Sequence, residues 1–313
     1  VSTADPTTNP LGDQAYRLFR QRFDGLRRQR QAETLLTVTV IVLLFVVCAV
    51  WTDFSPEAVF DGLPRIGEYF GKLFSIEPSA GAAAVPVLAW DHLFGGVKEP
   101  QSLAYWFYRI NVYAVLLWQT IQMAIVSTVM GFTMAVLLSF PATRSLMGGH
   151  GWVVVLVRRL LEVLRTIPQV VLAFILVWPF GIGPLAGILA IGIHTTGALG
   201  KLFSELNENT DLKAVEGIQS VGGSWLAQMR YGVFPQVLPG FLSYGLLRFE
   251  INVRSSTIIG FVGAGGIGQE LMRVISFNIY EEVSAICILI LLIVVAIDLG
   301  SERIRHRFIG AMA

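Results

Sequence analysis

Residues 35–51, LLTVTVIVLLFVVCAVW, run for seventeen positions without a charge. An α-helix rises about 1.5 Å per residue, so such a run is close to the length that crosses the hydrocarbon of a bilayer. Five further apolar stretches fall at about 113–140, 153–180, 184–203 and 237–260 and at 283–299. The expected fold is therefore all-α, with about six transmembrane helices. Charged residues make up only 14% of the chain, against about a quarter in soluble domains. The outer surface, too, is expected to be apolar and to face lipid. Cys48 and Cys287 both sit inside apolar runs, lack metal-ligand spacing, and read as packing residues.

The stretch 153–180 is the least uniform. Its first half carries Arg158, Arg159, Glu162 and Arg165, with Arg158 and Glu162 one helical turn apart and able to pair. That half is expected to start in the interface, with a kink at Pro168. Ahead of the first span, Tyr16, Phe19, Phe23 and Leu26 fall on one helical stripe among Arg17, Arg20, Arg22, Arg27, Arg28 and Arg30. A basic amphipathic segment of this kind suits an anionic membrane surface, although Gly25 weakens the helix; a solvated basic tail is the other reading.

Arginines set the orientation. The first segment, 1–34, and the last, 301–313 with Arg303, Arg305 and Arg307, are basic, which places both ends in the cytoplasm and requires an even number of spans. Between the first span (35–51) and a core at 113–300 lies segment 52–112, with seven acids against four bases. It falls outside, and Pro56, Pro64, Pro78, Pro86 and Pro100 predict short helices and turns. The loop 204–236 falls inside.

Residues 260–271, GFVGAGGIGQEL, contain the G-x-G-x-x-G spacing Gly263, Gly265, Gly268. A dinucleotide site needs a strand before such a run, and here a lipid-length apolar stretch precedes it. The better reading is a re-entrant turn in which Gly263, Gly265, Gly266 and Gly268 let backbones approach closely, forming an outer gate. Within the fifth stretch stand Arg248, Glu250 and Arg254, all costly at that depth. Glu250 and Arg254 are one turn apart and able to neutralise each other. Two readings are open for Arg248: a structural partner on another span, or a positive lining for an anionic substrate, with Ser255, Ser256 and Thr257 adding neutral donors. His194, beside Thr195 and Thr196, reads first as a hydrogen-bonded packing residue. His92, His150 and His306 are scattered, so no metal site is visible, and neither a nucleotide-binding loop nor a Ser/His/Asp set is present.

The stretch 215–239, VEGIQSVGGSWLAQMRYGVFPQVLP, predicts a short amphipathic helix, a break at Gly222–Gly223, and a second short helix ending at Pro235 and Pro239. It resembles the coupling motif of ABC importer permeases, E-A-A-x3-G-x9-I-x-L-P: Glu216 matches the Glu, Gly222 the Gly and Pro235 the Pro, while Gly217, Ile218, Gly232 and Phe234 depart from it. RFEINVRSSTIIGFVGAGGIGQEL (248–271), LRTIPQVVLAF (164–174) and SERIRHR (301–307) are similar to permeases of phosphonate/phosphate-type importers. The likeness covers roughly 113–307.

The resemblance implies a type I importer permease with a cytoplasmic coupling helix in the plasma (inner) membrane. Glu216, Gly222, Gly223 and Pro235 would couple it to the ATPase. Its implied partners are a second copy of itself, two cytoplasmic ATP-binding cassette subunits that carry ATP and Mg, an extracytoplasmic solute-binding protein, and membrane lipid, but no nucleic acid. The chain itself would bind no cofactor and would not be an enzyme. It would move phosphonate, or the related phosphate or phosphite, by alternating access. Methionine is the rival cargo, and a membrane-embedded lipid-modifying enzyme the rival class.

Overall fold

The structure, a computed structural model, describes residues 10–52, 54, 56–76, 85–86, 107 and 109–310. Most of segment 52–112, with Pro78, Pro100 and His92, lies outside the described residues. The chain divides into two units, residues 1–70 and 71–313.

In the first unit, α1 (Pro10–Trp51) is one unbroken helix of 42 residues that passes through Gly25. The basic segment and the first span are thus a single rod. Along its apolar half, Leu35 to Val50 present their large side chains outward. Thr34, Thr37 and Thr39 return their hydroxyls to carbonyls one turn back, which hides those donors from lipid. Next, α2 (Pro56–Phe74) carries Pro64 inside it. In the second unit, a two-residue antiparallel ladder pairs β1 (Ser75–Ile76) with β2 (Val85–Pro86).

The second unit is a helical bundle. It is built from α3 (Ile110–Ser139), α4 (Gly151–Thr166), α5 (Gln169–Phe180), α6 (Pro184–Glu208), α7 (Lys213–Ser220), α8 (Phe234–Ile259), α9 (Gly266–Ser276) and α10 (Tyr280–Gly310). The α3–α6 pair forms its spine. A Cβ on Gly131 would sit 2.6 Å from the Thr195 side chain, and one on Gly197 would sit 2.6 Å from the Arg165 backbone nitrogen in α4. Small residues replace side-chain layers wherever helices approach this closely. Toward the α7 end the core is Phe203 stacked on Phe241 at 4.0 Å, with Phe132 edge-on at 5.4 Å. At the opposite end Tyr113, Ile267, Val274 and Ile286 form a second cluster.

Among the described residues, four helices are long and apolar enough to cross a membrane, and six spans result if each of two bent pairs counts as one. The expected kink at Pro168 is an 89° elbow between α4 and α5. Its cause is local: Ile167, before the proline, is forced to extended backbone (ψ 122°) and ends α4. Cys48 and Cys287 are exposed, not packed; both stand on apolar outward surface, where a thiol is tolerated as a small hydrophobe.

Candidate functional site

Between α6 and α8 the chain leaves the bundle as a hairpin. Helix α7 is short, and Gly222 ends it with φ +80°, a left-handed conformation that a side chain would strain. Ser224 then caps a turn of helix at Trp225–Ala227, and six residues, Gln228–Val233, continue as a π-helix. Pro235 and Pro239 do not end a second short helix, as the sequence reading held. Pro235 lies in the first turn of α8, where its missing N–H is no loss, and Pro239 is carried inside that helix.

Gly232 lies beneath α7: a Cβ there would meet Val215 and Ile218 at 3.2 and 3.3 Å. The departure from the importer motif at Gly232 is therefore a packing solution. Two side chains fasten the hairpin. Gln236 accepts from the Asp211 N–H at 3.1 Å and donates to the Asp211 and Gly232 carbonyls. Trp225 Nε1 donates to the Leu146 carbonyl at 3.0 Å. Glu216 is exposed, and so are the apolar side chains of Val221 (83%), Leu226 (69%) and Tyr231 (67%) elsewhere on the hairpin. A fastened hairpin with exposed apolar side chains and an outward carboxylate at Glu216 is suited to docking.

A second constellation lies inside the bundle. Arg248, midway along α8, donates from Nη2 to His194 Nδ1 on α6 at 2.6 Å and from Nε toward Thr195 Oγ1 at 3.4 Å. Gln169, first residue of α5, places Nε2 3.1 Å from the same His194 nitrogen. Behind them, Asn252 is fully buried and bonds to Thr195 at 3.1 Å and to Thr128 of α3 at 2.8 Å. Four helices thus share one polar chain. Ser256 and Thr257 donate to carbonyls of their own helix, and Ser255 is half-buried, so Arg248's bonded neighbours come from α6.

The ion pairs differ from those the sequence suggested. Arg254 bonds to Asp298 on α10 at 2.8 Å, not to Glu250, whose Oε1 is buried without a hydrogen-bond partner. Arg158 pairs with Glu208 on α6 and donates to the Ala142 carbonyl at 2.7 Å, while Glu162 takes Arg159 at 2.6 Å. Arg254 and Arg158 share one cause: each stands on the helix side that faces a neighbouring helix bearing a carboxylate.

At the glycine run, a helix precedes and no strand does. After a 3-10 turn (Gly260–Val262), Gly263, Gly265 and Gly266 take φ of +85°, +84° and +72°. A Cβ on Gly268 would lie 1.8 Å from the Thr257 carbonyl oxygen, and one on Gly260 would lie 2.7 Å from Gly268 Cα. The run packs the start of α9 tightly against the end of α8, with a 46° bend between the two helices. Beside it Arg109, Glu270, Arg273 and Glu282 form a ring of ion pairs of 2.7–3.3 Å. They adjoin a 440 Å³ cavity lined by Gln119, Gly183, Gly265 and Gln269. Among the described residues no three His, Cys, Asp or Glu gather as a metal site.

The predicted residues therefore do not form one site: the coupling residues lie on the hairpin, the glycines at the turn before α9, and of the pathway residues Arg248 alone joins the intramembrane chain through its side chain. Sequence reasoning missed Gln169, Asn252, Gln236 and the Arg109 ring. The available signal was a polar residue inside or beside an apolar run, which for Asn252 and Gln169 was present.

A multi-pass helical bundle with broken spans, an intramembrane polar chain and a hairpin held out for docking is the body of a membrane transport subunit. The model of the binding-protein-dependent transport system inner membrane component family matches residues 129–309, and the chain belongs to that family. Its relatives are transport permeases, which sets aside the lipid-modifying enzyme.

The chain is 37% identical over 189 residues to the phosphite transport system permease protein of Stutzerimonas stutzeri, covering 60% of this chain and 68% of that one. It is 35% identical over 191 residues to the phosphate-import permease protein of Mycolicibacterium smegmatis (61% and 36% covered). It is 47% identical over 122 residues to a putative cryptic phosphonate transport system permease protein of Escherichia coli (39% and 100%). In fold it is similar to the inward-facing MetNI methionine ABC transporter, with TM-score 0.56 at 20% identity, covering 64% of this chain and 97% of that one.

Proposed function

We propose that this chain is the membrane subunit of an ATP-driven importer of a phosphorus oxyanion: phosphonate, phosphite or phosphate. The observation that carries the cargo is the likeness to permeases named for those three ions. Arg248, the intramembrane cation held by neutral groups, agrees with it. A methionine cargo has weaker support, because the likeness to methionine permeases is lower, at 24% identity in sequence and 20% in the solved structure.

In this reading two copies of the chain enclose the pathway, both termini are cytoplasmic, and a solute-binding protein delivers the ion outside. Two ATPase subunits, holding ATP and Mg, grip the α7 hairpin through Glu216 and the exposed apolar side chains. The Gln236 and Trp225 bonds make the hairpin stiff enough to pass ATPase closure into α8. Gly263, Gly265, Gly266 and Gly268 shape the outer gate. The test is uptake by proteoliposomes holding the assembled transporter, with methylphosphonate, phosphite, phosphate and methionine as cargo. Uptake of methionine and of none of the other three would overturn the reading.

A further inference from the structure

Arg254, Arg158, Arg109 and Arg273 each have a carboxylate at ion-pairing distance. Arg248 has none among the described residues; its partners are a histidine ring and a threonine hydroxyl. A guanidinium carries five N–H groups and accepts nothing. Two of them are used here, one at Nε and one at Nη2. Because arginine only donates, His194 Nδ1 must carry a lone pair, which makes the ring neutral with its proton on Nε2.

The Gln169 amide approaches that same lone pair. Two donor groups thus compete for one acceptor, and the remaining N–H groups of Arg248 have no acceptor among the described residues. Arg248, His194 and Gln169 are each only half-buried, so the cluster is open on one side. At this depth an open, donor-rich, positively charged cluster is stable only beside water or an anion. Its pattern is more particular than positive charge: two donor groups converge on one ring nitrogen.

We infer that Arg248, Gln169 and His194 form a seat for an oxyanion that keeps one P–OH group. On binding, Arg248 and Gln169 turn from His194 to donate to the ionised oxygens, and the P–OH replaces them as the donor to His194 Nδ1. The inference rests on the phosphorus-oxyanion reading and adds the groups that recognise the ion. Thr195, Asn252 and Thr128 hold the guanidinium in place from behind. Sulfate has the same shape but no proton near neutral pH, so one of its oxygens would face the His194 lone pair with no hydrogen between them. A phosphodiester of a lipid headgroup lacks the hydroxyl too. A buried acceptor left facing another acceptor loses about tenfold or more in affinity.

The experiment uses the full chain in phosphatidylcholine nanodiscs, with equilibrium dialysis of radiolabelled inorganic phosphate and radiolabelled sulfate. Wild type is expected to hold phosphate at least about tenfold more tightly than sulfate. His194→Phe keeps a ring but removes the acceptor and should bring the ratio near one. His194→Asn restores an acceptor close to Nδ1 and should recover the preference. Arg248→Gln should abolish binding of both ions.

Equal binding of the two ions by wild type, no binding of either, or an unchanged ratio in His194→Phe overturns the seat. So does a loss of phosphate binding when phosphatidylglycerol replaces part of the lipid, since the cluster would then be a headgroup site. Methylphosphonate uptake by the assembled transporter is measured alongside. Uptake without the phosphate preference overturns the seat and retains the cargo; the preference without uptake does the reverse.

Discussion

Gly197 is where α6 meets the main chain of α4. A methyl group there would lie 2.6 Å from the Arg165 nitrogen, 2.7 Å from the Leu161 oxygen and 2.9 Å from the Leu164 carbonyl carbon. All three are backbone atoms of α4, so no rotamer change relieves them. Reaching ordinary contact at 3.4 Å requires α4 and α6 to separate by about 0.8 Å. That separation would also loosen Leu161 from Gly200 and strain the Arg158–Glu208 pair on the same two helices. Gly197→Ala is therefore expected to cost about 1–3 kcal/mol. Gly217→Ala is the control. Gly217 is exposed in α7 with nothing within 4 Å, and alanine there gains up to about 1 kcal/mol in helix propensity. Unfolding by SDS titration in mixed micelles, followed by circular dichroism, gives both values. The reasoning fails if Gly197→Ala is as stable as wild type, because α4 and α6 would then not be packed main chain to main chain.

Three further outcomes are expected. Glu216→Ala should leave the chain folded but uncouple cargo uptake from ATP hydrolysis in proteoliposomes; normal coupling would remove Glu216 from the docking surface. Gly222→Ala places a side chain at φ +80° and should cost about 1–2 kcal/mol with loss of uptake, read by thermal stability and transport; an unaffected protein would mean that the hairpin break is not left-handed. Asp298→Asn should destabilise by about 1–3 kcal/mol, since it leaves Arg254 without its carboxylate, whereas Glu250→Gln should change little. The reverse order in SDS titration would restore Glu250 as the partner of Arg254.

How far the fold was legible depends on what sets each feature. Lipid imposes length and apolarity on every span, so the helices at 110–139, 184–208 and 280–310 were readable from residue type. Proline and glycine act on their own backbone, so the break at Pro168 and the turn at Gly263–Gly266 were readable too, though not the 89° angle. Partner choice was not. The spacing of Arg158 and Glu162, or of Glu250 and Arg254, shows that two residues share a face; it does not show Glu208 or Asp298 arriving from another helix. The site was legible to the same extent. Arg248 stood out as a charge at depth, but its meeting with His194 and Gln169 depends on how α5, α6 and α8 pack. Pro235 and Pro239 misled because a proline near a helix start and one near a helix end look alike in sequence.

The crossing of Gly260 and Gly268 places bare main chain on bare main chain, with no side-chain layer to compress or slide. Helix α9 is therefore fixed to the tip of α8, and the ring of Arg109, Glu270, Arg273 and Glu282 ties it in turn to the starts of α3 and α10. That rim is a plate: its four helix ends share any displacement, and a substrate passing there would meet one rigid edge rather than four separate fingers.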